Sequence, residues 1–204
     1  RSTHCISSAA SDVYKRQRIQ AITKGLALEQ TYDLVDKLDT LLDESLDFAF
    51  SEKLGYLTQC PTNLGTGMRA SVMLHLPALE KSRAIGRIAG NLSKLGLTIR
   101  GTHGEGTEPK GSLYQLSNQV TLGISEKAAI ENLKNITSQL ISQEELARER
   151  ICSNIDIQDS ISRSLGILKY ARTIAHDEAL QLLSNVRLGI VSGQLKDCLL
   201  YTSD

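Results

Sequence analysis

From Thr31 onward, Leu34, Val35, Leu38, Leu41, Leu42 and Leu46 recur at three- and four-residue steps, with Asp33, Asp36, Lys37, Asp39 and Asp43 between them. That period predicts an amphipathic helix lying on a core, with Thr31 as its N-cap. Gly55 closes the region before a short extended stretch, Tyr56-Leu57-Thr58. Ala70 to Leu76 reads as a strand, which Pro77 ends because proline has no N–H for the ladder. Ile85, Ile88, Leu92 and Leu95 mark a second helix with Gly96 as its C-terminal cap, and Leu97 to Thr102 leaves it as a strand. His103 to Gly111 holds three glycines and a proline without periodicity and predicts a surface loop. Leu113 to Ser117 alternates as a half-buried strand. Ser125 then caps a long helix whose apolar face carries Ile130, Leu133, Ile136, Leu140 and Ile141.

Beyond about Arg148 the strand signals stop, and Ile155 to Leu188 is helical in pattern, with Asp177 opening a segment of Ala179, Leu180, Leu182, Leu183 and Val186. The pattern as a whole mixes short strands with helices over residues 18–147, an α+β reading, and then starts a helical domain over 148–197. Composition narrows the function classes. The 204 residues carry 23 basic and 23 acidic side chains, so no net field draws the chain to nucleic acid or to an anionic membrane. No apolar run approaches the roughly 18 residues of a membrane span, and the start of the chain lacks the order of a secretory signal, so the expectation is a soluble, cytoplasmic protein. Cys5, Cys60, Cys152 and Cys198 form no C-x-x-C pair, which argues against a zinc site and against a disulfide framework.

The two ends are expected to be non-native. Asp12 to Gln17 can be encoded by GAT GTG TAT AAG AGA CAG, whose reverse complement, read one base out of frame, encodes the Cys-Leu-Leu-Tyr-Thr-Ser that stands at Cys198 to Ser203. The pair resembles translated transposon-adapter sequence, so residues 1–17 and 198–204 are set apart from the fold. The native part is then expected to be a fragment cut at both ends.

Candidate chemistry concentrates in two strings. Cys60-Pro61-Thr62-Asn63-Leu64-Gly65-Thr66-Gly67-Met68-Arg69-Ala70-Ser71 joins a thiol, a glycine-hinged turn and an arginine that runs into a strand; Arg100-Gly101-Thr102-His103-Gly104-Glu105 follows at the end of the next strand. An arginine presents a planar fork of donors that stays protonated and meets phosphate oxygens in pairs, which suits phosphoryl transfer. A lone arginine beside a strand is ordinarily a solvated side chain. A lone cysteine between apolar stretches is ordinarily a small buried hydrophobe, and a loop glutamate is ordinarily solvated. His75 reads as a packed histidine and His103 as a loop residue.

Both strings, in this order, resemble the active-site motifs of the ATP:guanido phosphotransferases. The resemblance covers Arg18 to about Ala147 and implies an antiparallel catalytic sheet flanked by helices, with ATP and Mg2+ as cofactors. It implies a nucleotide site made by Arg18, Arg69, Ala70, Ser71, Val72, Met73, Arg100, Gly101, Thr102, His103, Gly104 and Glu105, with no residue assigned as a metal ligand. Arg69 and Arg100 would clamp phosphates, and Arg18-Ile19 matches the last two residues of the family's N-E-E-D-H-L-R-I segment, whose acidic residues are absent here. Cys60 and Glu105 take the catalytic roles, Cys60 orienting the acceptor guanidinium and Glu105 pairing with it and helping to remove its proton.

Within the family, Gly104 to Glu108, Gln115 to Gln119 and the helical continuation through Arg187 to Ile190 resemble the branch that phosphorylates arginine in proteins. That implies protein substrates such as a heat-shock repressor and misfolded chains, an activator protein, a Clp-type unfoldase, a role in stress response and a possible homodimer. A kinase of a free guanidino metabolite and a non-catalytic nucleotide- or phosphoarginine-binding module stay open. The fragment by itself is expected to be inactive, because it lacks the acidic segment.

Overall fold

The computed structural model describes residues 19–58, 60–101 and 109–195. The tails set apart above, Arg18 and the stretch Thr102 to Glu108 lie outside them. In chain order the described elements are α1 (Leu28–Asp43), β1 (Phe50–Ser51), β2 (Gly55–Tyr56), a 3-10 turn at Pro61–Asn63, β3 (Ser71–His75), α2 (Pro77–Lys81), α3 (Ile85–Lys94), β4 (Leu97–Gly101), β5 (Leu113–Asn118), α4 (Glu126–Ile151), α5 (Ile155–Tyr170) and α6 (His176–Val191). The strands form a two-stranded sheet, β1-β2, and a three-stranded sheet in the order β3-β5-β4. Phe50 pairs with Tyr56 and Ser51 with Gly55 in an antiparallel ladder. Bonds at the two ends of the β3–β5 pair, Asn118 N–H to Ala70 O at 3.2 Å and Leu76 N–H to Ser112 O at 2.9 Å, run in the opposed order of antiparallel strands. The α+β reading therefore holds, and it is helix-rich with small antiparallel sheets.

The chain divides into two compact units that interleave in sequence. Among the described residues, one takes those within 19–74, 89–99 and 115–138, and the other takes 75–88, 100–101, 109–114 and 139–195. The first unit buries Leu28 and Val35 from α1, Met68 and Ala70 ahead of β3, Val72 and Leu74 within it, Leu92, Leu97, Leu116, and Ala129, Ile130 and Leu133 from α4. The second buries Leu76, Ala78, Leu79, Tyr114, Leu140, Ile161, Leu182, Val186 and Leu188. In the second unit α5 and α6 pack against one another through a polar contact as well, Asn185 Nδ2 donating to Ser164 Oγ at 3.0 Å.

Several expectations hold. Gly96 follows α3 with φ of 71°, in the left-handed region that only glycine adopts without strain, and a Cβ there would stand 2.7 Å from Val120 Cγ2. Ser125 does cap α4, its Oγ accepting from Ala128 N–H at 3.3 Å. Others are corrected. Thr31 is not the N-cap of α1: the helix begins at Leu28, and Thr31 is fully buried in its first turn, its hydroxyl donating to Ala27 O at 2.7 Å. The leucine stripe of α1 does not lie on a core among the described residues. Leu34, Leu38, Leu41 and Leu46 are exposed, and Leu28, Thr31 and Val35 make the buried face. The predicted strand Tyr56 to Thr58 shrinks to Gly55–Tyr56 and pairs with a strand that has no clear sequence signal. Pro77 ends β3 as expected but also opens α2 as its first residue, where its missing N–H costs nothing.

Candidate functional site

The first string folds as a series of turns within the first unit. Cys60 precedes the 3-10 turn in extended conformation and is exposed, so it is not the small buried hydrophobe that a lone cysteine ordinarily makes. Its Sγ lies 3.0 Å from Thr62 Oγ1, while Thr58 Oγ1 donates to Cys60 O at 2.8 Å. The thiol and a hydroxyl are thus presented together at the surface. Thr121 holds the turn from outside, its buried hydroxyl shared between Thr62 O at 3.0 Å and Leu64 O at 2.8 Å.

Gly65 explains why the motif needs glycine. Its φ is 107°, and a Cβ there would stand 2.3 Å from Thr121 O, nearer than any side chain is tolerated. The same residue bridges to Tyr56, accepting from Tyr56 N–H at 2.7 Å and donating to Tyr56 O at 3.3 Å. From Thr66 the chain turns inward and is gripped by one side chain, Asn118 at the end of β5. Asn118 Oδ1 accepts from Ala70 N–H at 2.7 Å, and its Nδ2 donates to Met68 O at 3.2 Å and Val120 O at 3.3 Å. Met68 and Ala70 are buried, and Arg69 between them is exposed. Ser71, Val72 and Met73 continue into β3, where Ser71 Oγ accepts from Gln115 Nε2 at 2.9 Å.

Tyr56, whose hydroxyl donates to Asp39 Oδ2 at 3.1 Å, lines a recess of about 80 Å³ with Tyr32, Asp36, Asp39, Met68 and Glu126. Partial burial, then the carboxylates of Asp36 beside Tyr32 and Asp39 beside Tyr56, push both phenols up to about 12, so they remain donors at neutral pH. Carboxylates with protonated phenols suit a cation there, not a phosphate. Neither this recess nor the Asn118 grip figured in the sequence reading, because both join residues far apart in the chain.

Of the other string, Arg100 and Gly101 are described, and they fall in the second unit. Arg100 is half-buried near the end of β4, and Gly101, its last residue, is buried. Thr102, His103, Gly104 and Glu105 lie outside the described residues, as does Arg18. His75, at the end of β3, is packed as expected, its Nε2 2.8 Å from Ser184 Oγ. Burial, with Arg187 nearby, lowers its pKa from 6.5 to about 4 and keeps the ring neutral, so it takes no proton near neutral pH. Among the described residues no group of three or more His, Cys, Asp or Glu could hold a metal ion, and no helix is long and apolar enough to cross a membrane.

Residues 15–147 match the family model described as the ATP:guanido phosphotransferase C-terminal catalytic domain. The chain belongs to the ATP:guanido phosphotransferase family. Residues 154–204 match a second model, the protein-arginine kinase McsB C-terminal domain. Among curated relatives, the protein-arginine kinases of Clostridium acetobutylicum and Halothermothrix orenii are each 53% identical over 182 residues, which is 88% of this chain and 54% and 52% of theirs. The chain thus spans about half the length of the curated relatives it matches. Among solved structures, the duplicated taurocyamine kinase from Schistosoma mansoni with bound transition-state-analogue components aligns with a TM-score of 0.58 at 31% identity, covering 71% of this chain and 21% of that one. A lombricine kinase aligns with a TM-score of 0.55 at 30% identity, covering 63% and 36%. These guanido-kinase neighbours agree with the small antiparallel sheets and flanking helices described above.

Proposed function

We propose that this chain is part of a cytoplasmic protein-arginine kinase that moves the γ-phosphoryl group of ATP to arginine side chains of proteins, in stress response and protein quality control. The observation that carries the reading is the display of Arg69: an exposed arginine between two buried residues, ahead of a strand, in a string that matches the family motif from Cys60 onward. In this reading Arg69 and Arg100 meet phosphate oxygens with paired donors, and the stretch Ala70 to Met73 supports the nucleotide with Gly101, Thr102, His103 and Gly104. Arg18 is a further phosphate contact. The reaction asks chiefly for positive charge fixed where negative charge gathers in the transition state. The exposed Cys60 thiol, beside the Thr62 hydroxyl, orients the acceptor guanidinium, and Glu105 pairs with that group and helps take its proton as the N–P bond forms. Magnesium enters with the nucleotide, neutralising charge on its phosphates, and no described residue is assigned to it.

The relatives named protein-arginine kinase and the match to that kinase's C-terminal domain favour a protein acceptor. The neighbours named taurocyamine kinase and lombricine kinase favour a second reading, transfer to a free guanidino compound. Under the first reading the partners are protein substrates, including a heat-shock repressor and misfolded chains, with an activator protein, a Clp-type unfoldase and a second copy of the chain. The deciding experiment offers the full-length parent γ-labelled ATP with casein in one tube and free arginine in another. Acid-labile label on casein arginine supports the protein acceptor; label on free arginine alone, or on neither, overturns it.

A further inference from the structure

We infer that Asn118 is a positioning residue for Arg69, an inference that rests on the proposed meeting of Arg69 with nucleotide phosphate. Asn118 is 48 residues from Ala70 in sequence, nearly fully buried, and bonded to the backbone on both sides of the arginine. Ala70 is held twice, its N–H by Asn118 Oδ1 at 2.7 Å and its carbonyl by Asn118 N–H at 3.2 Å. Met68 is held by the same amide at its carbonyl and by Thr66 Oγ1 at its N–H, at 3.3 Å. Arg69 therefore leaves the fold from a backbone fixed at the residue before it and the residue after it. A donor that stabilises a developing charge is effective only if it is in place beforehand, and here the placing is done by the amide.

The chemistry of the grip singles out asparagine. Ala70 N–H requires an acceptor, and the carbonyls of Met68 and Val120 require donors; an amide supplies both from one planar group. Aspartate has the same shape but brings no hydrogen to the two carbonyls and sets a charge against them in a buried place. Its backbone effect should reach the solvent only through Arg69.

The test is a double-mutant cycle in the full-length parent carrying this sequence, with MgADP as the probe and affinity measured by calorimetry on folded protein. Arg69→Ala and Asn118→Asp should each weaken binding, Asn118→Asp by roughly tenfold, and the double variant should bind no more weakly than Arg69→Ala alone. A merely structural role would weaken binding equally whether or not Arg69 is present. Multiplying losses in the double variant therefore overturn the inference, as does unaltered affinity in Asn118→Asp. Unaltered affinity in Arg69→Ala overturns the phosphate reading itself and takes this inference with it, so the two failures are distinct. If Asn118→Asp does not fold, Asn118→Ser, which keeps one donor and one acceptor in a smaller volume, carries the same cycle to the same outcomes.

Discussion

In each of the two units a buried polar side chain grips backbone far away in sequence, and the two grips differ in charge. In the first unit the neutral amide of Asn118 holds the residues either side of Arg69. In the second the carboxylate of Glu144, only 3% exposed, accepts from Ala78 N–H at 2.8 Å and Leu79 N–H at 2.9 Å. Those are the N–H groups of the second and third residues of α2, the first residue, Pro77, having none. The helix has Leu76 at its N-cap and Pro77 in its first position, so it carries no polar cap of its own, and a side chain 66 residues away supplies one. An amide can both donate and accept and does not titrate, so it suits a place beside a cation that must stay put. A carboxylate only accepts, which suits the end of a helix where only N–H groups point outward. Its cost is sensitivity to pH: burial raises the Glu144 pKa above 4.5, outweighing the two N–H donors and Arg148, which pull it down.

The largest effect that would sharpen this contrast is removal of the charged grip. Glu144→Ala leaves two buried N–H groups without an acceptor and opens a void, and it should cost about 3 kcal/mol of stability in urea denaturation at neutral pH. A loss below about 0.5 kcal/mol would mean that α2 is held by its neighbours and not by the carboxylate.

A smaller effect is predicted along the pH axis. His75 has a depressed folded pKa, so the stability it contributes is present above about 6.5 and is lost as pH falls from there through about 4. Glu144 has a raised one, so its contribution is complete below 4.5 and is lost as pH rises through its folded value. In His75→Gln the decline between pH 6.5 and pH 4.5 should shrink by about 2 kcal/mol, and in Glu144→Gln the opposing rise on acidification should vanish. Identical pH profiles for the wild type and both variants, read by denaturant midpoints, contradict the assignments.

Most of the architecture can be read from spacing, and what cannot be read is instructive. The β3, β4 and β5 strands, α3 with Gly96, and α4 with Ser125 follow from periodicity and caps that act within a few residues. The two glycine-bearing strings are legible because their chemistry is local. Asn118 and Glu144 are not, since nothing near Asn118 reveals that Ala70 lacks an acceptor, and nothing near Glu144 reveals that α2 lacks a cap. The stripe of α1 misleads for a related reason: Leu34, Leu38, Leu41 and Leu46 have the right period, but periodicity cannot say what a face meets, and the buried face here turns on Leu28, Thr31 and Val35.

The smallest stability effect concerns the turn that carries Cys60. Thr121→Val keeps the shape and removes the hydroxyl shared by Thr62 O and Leu64 O, so it should cost about 1 kcal/mol. Thiol reactivity at Cys60 toward a neutral alkylating agent should change with it if the turn sets the thiol's surroundings. An unaltered rate alongside full stability would separate the turn from the thiol.

The central claim is that Arg69 and Arg100 act through paired donors on the transferring phosphoryl group. It is tested most directly by steady-state phosphorylation of a protein acceptor by the full-length parent at saturating MgATP, comparing Arg69→Lys and Arg100→Lys with the unaltered enzyme. A lysine keeps the charge but not the fork, so turnover should fall by roughly a hundredfold in each variant, the scale seen when one preorganised donor is lost. Turnover equal to that of the unaltered enzyme in both variants would contradict the account.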